Sequence, residues 1–319
     1  HQGSWNGIGG LSDTYSRDIF NNVYDSATFR DPYTGEIIPM RTQWTDISTQ
    51  GPTGKLQVAE DAQTWDPATQ KWKDAGPDAT ATSKVTYKLL YSKWHNGIPM
   101  DKSDLLYSQY FTFEWGTNSG SDDQTVDPEY TSSAAPALPL LKGIKFTSDG
   151  TLESYVNFWH YDDKEIADFA PAWAAEPWEI TAATERLVTD GKFAYSRSQA
   201  SAKNVDWLDP IVPEHAQAIK EELQQMKSEN YVPAALKGIV SVDDAKKRYD
   251  ASIAWINTHG NAIISNGAFY LDSFNIAGGT ITIRAFRDPS YPFEQGHWSA
   301  YENPKLATIE RVDAARMIE

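Results

Sequence analysis

The stretch Lys93-Trp94-His95-Asn96-Gly97-Ile98-Pro99-Met100-Asp101-Lys102-Ser103-Asp104-Leu105-Leu106-Tyr107-Ser108 decides how the rest of the chain is read. Just before it, Val85, Tyr87 and Leu89 alternate with Thr86 and Lys88, the period of a strand with one buried face. Trp94-His95-Asn96-Gly97 then reads as a tight turn, because Asn and Gly tolerate the backbone angles a sharp reversal needs. Asp101 and Asp104 suit a helix cap and first turn, and Leu105, Leu106, Tyr110 and Phe113 give the helix from 101 to 115 an apolar side.

Working towards the amino terminus, residues 51–83 are polar, with short strand-like pieces at Leu56-Gln57-Val58 and Gln70-Lys71-Trp72. Asp31-Pro32-Tyr33-Thr34-Gly35-Glu36 is a turn by composition. Towards the carboxyl terminus, 116–139 reads as a loop of Gly, Ser, Asp and Pro. Residues 143–160 form a hairpin about Asp149-Gly150, with Ile144 and Phe146 on one side and Leu152, Tyr155, Val156 and Phe158 on the other. A short helix runs from Thr181 to Asp190, closed by Gly191. Val212, Ala216, Ile219, Leu223 and Met226 recur at helical steps. Ser241 and Asp244 resemble a capping box for a second helix, whose stripe is Val242, Ala245, Tyr249, Ile253 and Ile256 and whose stop is Gly260. Ile281 and Ile283 mark a late strand. The fold class is therefore mixed α/β (α+β), β-rich first, then helical, then returning to a strand.

The 319 residues favour two lobes over one and hold enough chain for a core without disulfides; there is no cysteine. A net charge of -16 without a Lys/Arg cluster argues against nucleic acid, whose affinity comes from phosphate neutralisation. No apolar run approaches the roughly 20 residues of a membrane span. The 12 Trp and 16 Tyr serve a core first and flat ligands second.

Catalytic patterns are largely missing from the sequence. No Gly-x-Ser-x-Gly elbow or Walker loop occurs, and the six His stand singly at 1, 95, 160, 215, 259 and 297. His1 reads as the point where the chain starts rather than as a copper ligand. Asp122-Asp123-Gln124-Thr125-Val126-Asp127-Pro128-Glu129 lacks EF-hand spacing and reads as a solvated acidic loop. No cofactor and no metal are expected. A carboxylate pair near Asp122 or Glu176 belongs to the alternative of a secreted carbohydrate-active enzyme. A cell-surface structural protein is a further alternative.

Several segments, in order, resemble the family-5 extracellular solute-binding proteins of peptide and oligosaccharide ABC importers. They are Ile19-Phe20-Asn21-Asn22-Val23-Tyr24-Asp25, Thr34-Gly35-Glu36-Ile37-Ile38-Pro39 with Trp44, and the 93–108 stretch, which is the most specific. Later come Asp209-Pro210-Ile211-Val212-Pro213-Glu214-His215, then Ser265-Asn266-Gly267-Ala268-Phe269-Tyr270-Leu271, then Arg287-Asp288-Pro289-Ser290-Tyr291. Ala268 stands where that family usually has Pro, and Asn266 where it has Thr or Ser.

The resemblance implies a type II periplasmic-binding-protein-like fold. Residues 1–24 and 166–290 would build a main mixed-sheet lobe, 25–165 a β-rich accessory lobe, and 291–319 the start of a third lobe or a tail. Because members of the family run longer, the chain would be a first part, a fragment or a shortened relative. It implies an extracellular or periplasmic protein, not an enzyme and monomeric, capturing an oligopeptide or oligosaccharide between lobes and docking on an ABC permease. Ligand contacts would fall on Trp5, Asn6, Tyr24, Trp115, Asn266, Gly267 and Phe269, with 94–97 acting as a fold marker.

Overall fold

The computed structural model of the chain describes residues 4–275, 278–302 and 308–312, so His1 lies outside the described residues. The first half is built of strands. After helix α1 (Thr14–Val23), capped by Asp13, come β1 (Thr28–Arg30), β2 (Ile37–Pro39), β3 (Thr42–Thr49), β4 (Leu56–Gln57), β5 (Gln63–Asp66), β6 (Lys71–Asp74), β7 (Thr80–Ala81) and β8 (Ser83–Leu89). Helix α2 (Lys102–Gly116) and the short α3 (Pro128–Ala134) interrupt them before β9 (Leu141–Phe146) and β10 (Leu152–Val156). The second half follows as α4 (Asp163–Phe169), α5 (Trp178–Thr189), β11 (Phe193–Ala194), α6 (Arg197–Lys203) and β12 (Asp206–Trp207). It ends with α7 (Pro213–Ser228), α8 (Val242–His259), β13 (Phe269–Asn275) and β14 (Thr280–Ala285). The fold is mixed α/β, as expected from the sequence.

A six-stranded sheet in the order β3-β8-β10-β9-β5-β6 is antiparallel throughout. Its middle is set by β8, where Ser83, Val85, Tyr87 and Leu89 are buried and their neighbours point away, so the period of two found in the sequence settles the register. The hairpin β9–β10 turns at 147–151 with Gly150 at φ +84°, a left-handed conformation that glycine adopts without cost. Helix α2 crosses this sheet: Trp65 of β5 meets Tyr110 edge to face at 4.9 Å, and its indole donates to Glu114 at 2.6 Å.

A single apolar cluster runs from Trp65, Tyr87 and Leu152 of the sheet through Leu105 and Tyr107 of α2 to Ile180, Leu223 and Ile256 of the later helices. Each such side chain contributes roughly 1.5–3 kcal/mol on burial. Helix α7 buries Ala216, Ile219, Leu223 and Met226 of its expected stripe, whereas α8 buries Ala245, Tyr249 and Ile256 but leaves Val242 exposed and Ile253 half-buried. Pro213 opens α7, where its missing N–H costs nothing, and Gly260 closes α8 at φ +68°. A second cluster joins Trp5, Val23, Ile211, Ile263 and Leu271, packing the amino-terminal segment on the β13–β14 hairpin.

The structure departs from the sequence reading in several places. The six-stranded sheet lies wholly within 25–165, whereas the described strands of 166–290 pair only two by two, β11 with β12 in parallel and β13 with β14 antiparallel. That second segment gives far more of its length to helices than to strands, and its described strands form only two-stranded pairs. The 116–139 stretch holds α3, started by Asp127 accepting from the Glu129 amide and by Pro128 in the first turn. Its polar composition masks a helix whose residues are nowhere buried. The piece at 70–72 shifts to β6, because Gln70 sits at φ +57° in the turn before it.

Candidate functional site

The tight turn at 94–97 is a structural junction. Trp94 is fully buried and its Nε1 donates to Asp104 Oδ2 at 3.2 Å, while Gly97 takes φ +86°. Asp104 also accepts from the Asp101 and Trp178 amides and from the Arg248 guanidinium. Arg248 in turn donates to Glu179 at 2.8 Å, and Ser252 to the other Glu179 oxygen at 3.0 Å. This network is buried, and burial, against the nearby Arg248 charge, pushes the Asp104 carboxyl up to about 7.

His95 ties the turn to the 265–267 segment. Its amide donates to Ser265 O at 2.9 Å, its Nδ1 faces the Ser265 amide at 3.3 Å and its Nε2 lies 3.0 Å from Gly267 O. Those neighbours assign the tautomer: Nδ1 accepts and Nε2 carries the hydrogen. Asn266 continues the junction, its Oδ1 accepting from the Asp25 amide and its carbonyl from Arg41, which is itself paired with Asp25 at 2.9 Å. Gly267 is required by close approach. A Cβ there would meet the Val23 carbonyl at 2.5 Å and the Tyr24 nitrogen at 2.8 Å. Tyr24 packs on Phe20 at 5.7 Å between ring centres. Lys93 meets Asp288 at 3.1 Å, and Arg41 lies over the rings of Tyr291 and Phe293 at 5.2 and 5.7 Å. Segments far apart in sequence thus converge on one junction.

Beside the junction is a cleft of about 320 Å³. Its walls come from the amino-terminal segment (Trp5, Asn6, Ile8, Phe20), one side of α2 (Tyr107, Ser108, Phe111, Thr112), Glu176 and the first turns of α5 (Trp178, Thr181, Thr184), and Tyr195, Leu208 and Ile263. The volume lies at the lower end of small-molecule pockets.

Trp5 and Asn6 are the two expected ligand residues that line this cleft. Asn6 is committed elsewhere: its Nδ2 donates to Ser4 Oγ, Tyr195 O and Leu208 O, and its Oδ1 accepts from the amides of Ile8 and Gly9. It fastens the amino-terminal segment to the body of the protein. Trp5 is different. It is 3% exposed, and its indole Nε1 has no hydrogen-bond partner among the described residues.

Tyr24, Asn266 and Gly267 belong to the junction, outside the cleft wall. Phe269 begins β13 opposite Ala285, half-buried and also outside the wall. Trp115 lies a layer behind: it stacks on Phe111 at 5.5 Å, meets Tyr195 edge-on at 5.0 Å and donates to Glu185 at 2.9 Å. Glu185 also accepts from Tyr107 at 2.5 Å and from Tyr110 at 2.6 Å, and burial raises its carboxyl pKa. These bonds fix the rotamers of the α2 rings that form the cleft wall.

Two residues of the cleft carry unmet polarity that composition did not single out as ligand contacts. Trp178 is 1% exposed, and its Nε1, like that of Trp5, is buried without a partner among the described residues. Glu176 is half-buried at the cleft, with Thr181 Oγ1 donating to it at 2.7 Å and no cation paired with it among the described residues. Burial, with some repulsion from Glu179, pushes its carboxyl up to about 7. Pro177, the N-cap of α5, sits between the two and disfavours helical backbone at Glu176, which stays off α5. The dipeptide Glu176-Pro177 ahead of a Trp-led helix was the available signal.

The acidic residues of 122–129 serve the local backbone instead. Asp123 accepts from the amides of Ser119 and Thr125, and Asp127 from those of Glu129 and Ser196. No group of three or more His, Asp or Glu among the described residues could hold a metal ion. No helix of the described residues is long and apolar enough to cross a membrane. No protein-family model and no curated protein sequence matches the chain.

Proposed function

We propose that this chain is the extracytoplasmic solute-binding component of an ABC importer, a monomer that captures an oligopeptide or oligosaccharide and presents it to a permease. The observation that carries this reading is the cleft itself: about 320 Å³, walled by the rings of Trp5, Phe20, Tyr107, Phe111 and Trp178. Support also comes from the convergence of the resembling segments: 93–97, 265–267 and 288–291 meet at one junction beside the cleft.

Hydrolysis is supported less well by the same geometry. Glu176 has the raised pKa of a general acid, yet the other carboxylate in the described cleft wall, Asp104, is locked to Arg248 and Trp94. A glycosidase needs a second carboxylate free to act as nucleophile or base.

A thermal-shift panel of short peptides and of α- and β-linked oligosaccharides tests the reading. A solute bound by the folded state at a hundredfold excess over its Kd adds about 2.7 kcal/mol, a shift of several degrees. Release of reducing ends from polysaccharide, or no shift with either class, would overturn it.

A further inference from the structure

We propose that a second cavity, between α2 and the six-stranded sheet, binds a single neutral, hydroxyl-bearing ring of the monosaccharide or cyclitol kind, with the Ser154 hydroxyl and the Gln109 carboxamide as polar contacts. The site is distinct from the cleft and does not rest on the importer reading.

Ser154 is the observation that carries it. On β10 it stands between Leu152 and Val156, both fully buried, and its cross-strand neighbours are Val85 and Ile144, also buried. Residues two apart on a strand share a face, as do residues directly opposite, so a hydroxyl occupies a position whose surroundings are apolar. Ser154 is 2% exposed, and its hydroxyl has no hydrogen bond among the described residues. It lines a cavity of about 250 Å³. A hydroxyl in such a place lowers stability unless something in the cavity pairs with it.

The cavity lies where the sheet is least regular. Tyr155 pairs with Gly143 and Val156 with Leu141, which leaves Lys142 bulged out of the β9–β10 ladder, and β5 joins β9 at Gln63 and Ile144. Bulges of this kind bend a strand and break its pairing. Across the gap, α2 contributes Ser108, Gln109 and Phe113, and the 169–173 segment contributes Phe169 and Trp173. Those two rings are held from behind: Phe169 stacks on Phe158 at 4.5 Å, and the Trp173 indole donates to Asp25 O at 3.0 Å.

The lining decides the ligand class. No described residue that lines the cavity is charged, so an ion would be buried there without a counter-charge. Gln109 is half-buried with no hydrogen-bond partner among the described residues, and Ser108 Oγ, which donates to Trp173 O at 3.0 Å, still has lone pairs to accept. The open groups of Ser154 and Gln109 each donate and accept, as the hydroxyls of a sugar or cyclitol do, and a ligand with acceptors alone would leave half of them unmet. Phe113, Phe169 and Trp173 offer apolar surface for the C–H face of such a ring. The volume falls below that of pockets for drug-sized ligands, which suits one ring rather than a chain.

Proton–nitrogen correlation NMR on the full chain tests the site, with glucose, galactose and myo-inositol titrated separately and with glucosamine and gluconate as charged controls. The neutral compounds are expected to move the backbone amides of Ser154 and Gly143 and the side-chain amide of Gln109, and to leave the cleft amides of Ile8 and Thr181 in place. Comparing the two hexoses with myo-inositol separates a sugar source from a cyclitol. Ser154→Ala is expected to weaken binding about tenfold while melting no lower than the unaltered chain, because it removes a hydroxyl without a protein partner. Gln109→Met should weaken the same compounds. If no compound moves the Ser154 and Gly143 signals, the cavity holds solvent alone and the proposal falls. It falls equally if the shifts appear at Ile8 and Thr181 instead, if the charged controls bind as well as glucose, or if Ser154→Ala keeps its affinity.

Discussion

Trp94 Nε1 and Asp104 Oδ2 lie 3.2 Å apart, and this bond joins the tight turn at 94–97 to the first turn of α2. Asp104 closes a capping box with Asp101, so the same carboxylate caps the helix, fixes the turn and pairs with Arg248 of α8. The turn, α2 and the distant α8 are locked by one side chain that is 1% exposed.

Removing the cation from this network is therefore costly. In Arg248→Met, Asp104 and Glu179 lose their shared partner while both stay buried. Breaking a buried pair from one side typically costs about 3–5 kcal/mol. Urea denaturation is expected to show a loss of that size. A loss below about 1 kcal/mol would mean that the network contributes little to holding α8 against the turn.

Glu185 plays the corresponding part behind the cleft. Tyr107, Tyr110 and Trp115 all donate to it, so Glu185→Leu strands three buried donors. At roughly 1–3 kcal/mol for each orphaned group, a destabilisation of about 3 kcal/mol or more is expected. Because the same bonds orient Tyr107, near-ultraviolet circular dichroism should change in parallel. An unchanged aromatic spectrum would show that packing alone sets those rotamers.

The sequence made some of this arrangement legible. The period of β8, the cap at Asp101, the α7 stripe from Ala216 to Met226 and the Asp149-Gly150 turn all obey local rules and are found where those rules place them, while the α8 stripe holds at Ala245, Tyr249 and Ile256 but not at Val242. Sheet order was out of reach, because pairings such as β10 with β8 depend on contacts between residues about 70 apart. The cleft was legible only at Trp5 and Asn6. Trp115 stands near the end of α2 and so looked available, yet its indole donates to Glu185, and no local pattern reports that. Trp178 and Glu176 flank a proline at a helix start, a position that usually signals capping rather than a site.

His95 gives a pH signature of the junction. Burial lowers its pKa to about 4 from 6.5, because the charged ring loses its solvation, and the nearby Arg41 charge adds to the effect against the hydrogen bond to Gly267. A histidine depressed in the folded state contributes stability that is present above the unfolded value. That contribution is lost as pH falls from about 6.5 through 4, and reaches roughly 3 kcal/mol at most. The ring-proton chemical shift of His95 followed by NMR should show a midpoint well below 6.5. An ordinary midpoint would mean that the ring is not held between Ser265 and Gly267.

Glu176 acts in the opposite sense within an overlapping window. Its carboxyl is raised to about 7 from 4.5, so the folded state binds the proton more tightly than the unfolded chain does. The stability it contributes is whole below pH 4.5 and is lost as pH rises through 7, amounting to roughly 2–3 kcal/mol with solvent in the cleft screening part of it. In Glu176→Gln that loss is absent. The variant should therefore match the unaltered chain near pH 4.5 and exceed it in stability at pH 8. Thermal melts of both proteins across pH 4.5–8 read the difference directly: divergence that grows with pH is the expected result, and parallel curves would show that the cleft already solvates the carboxylate.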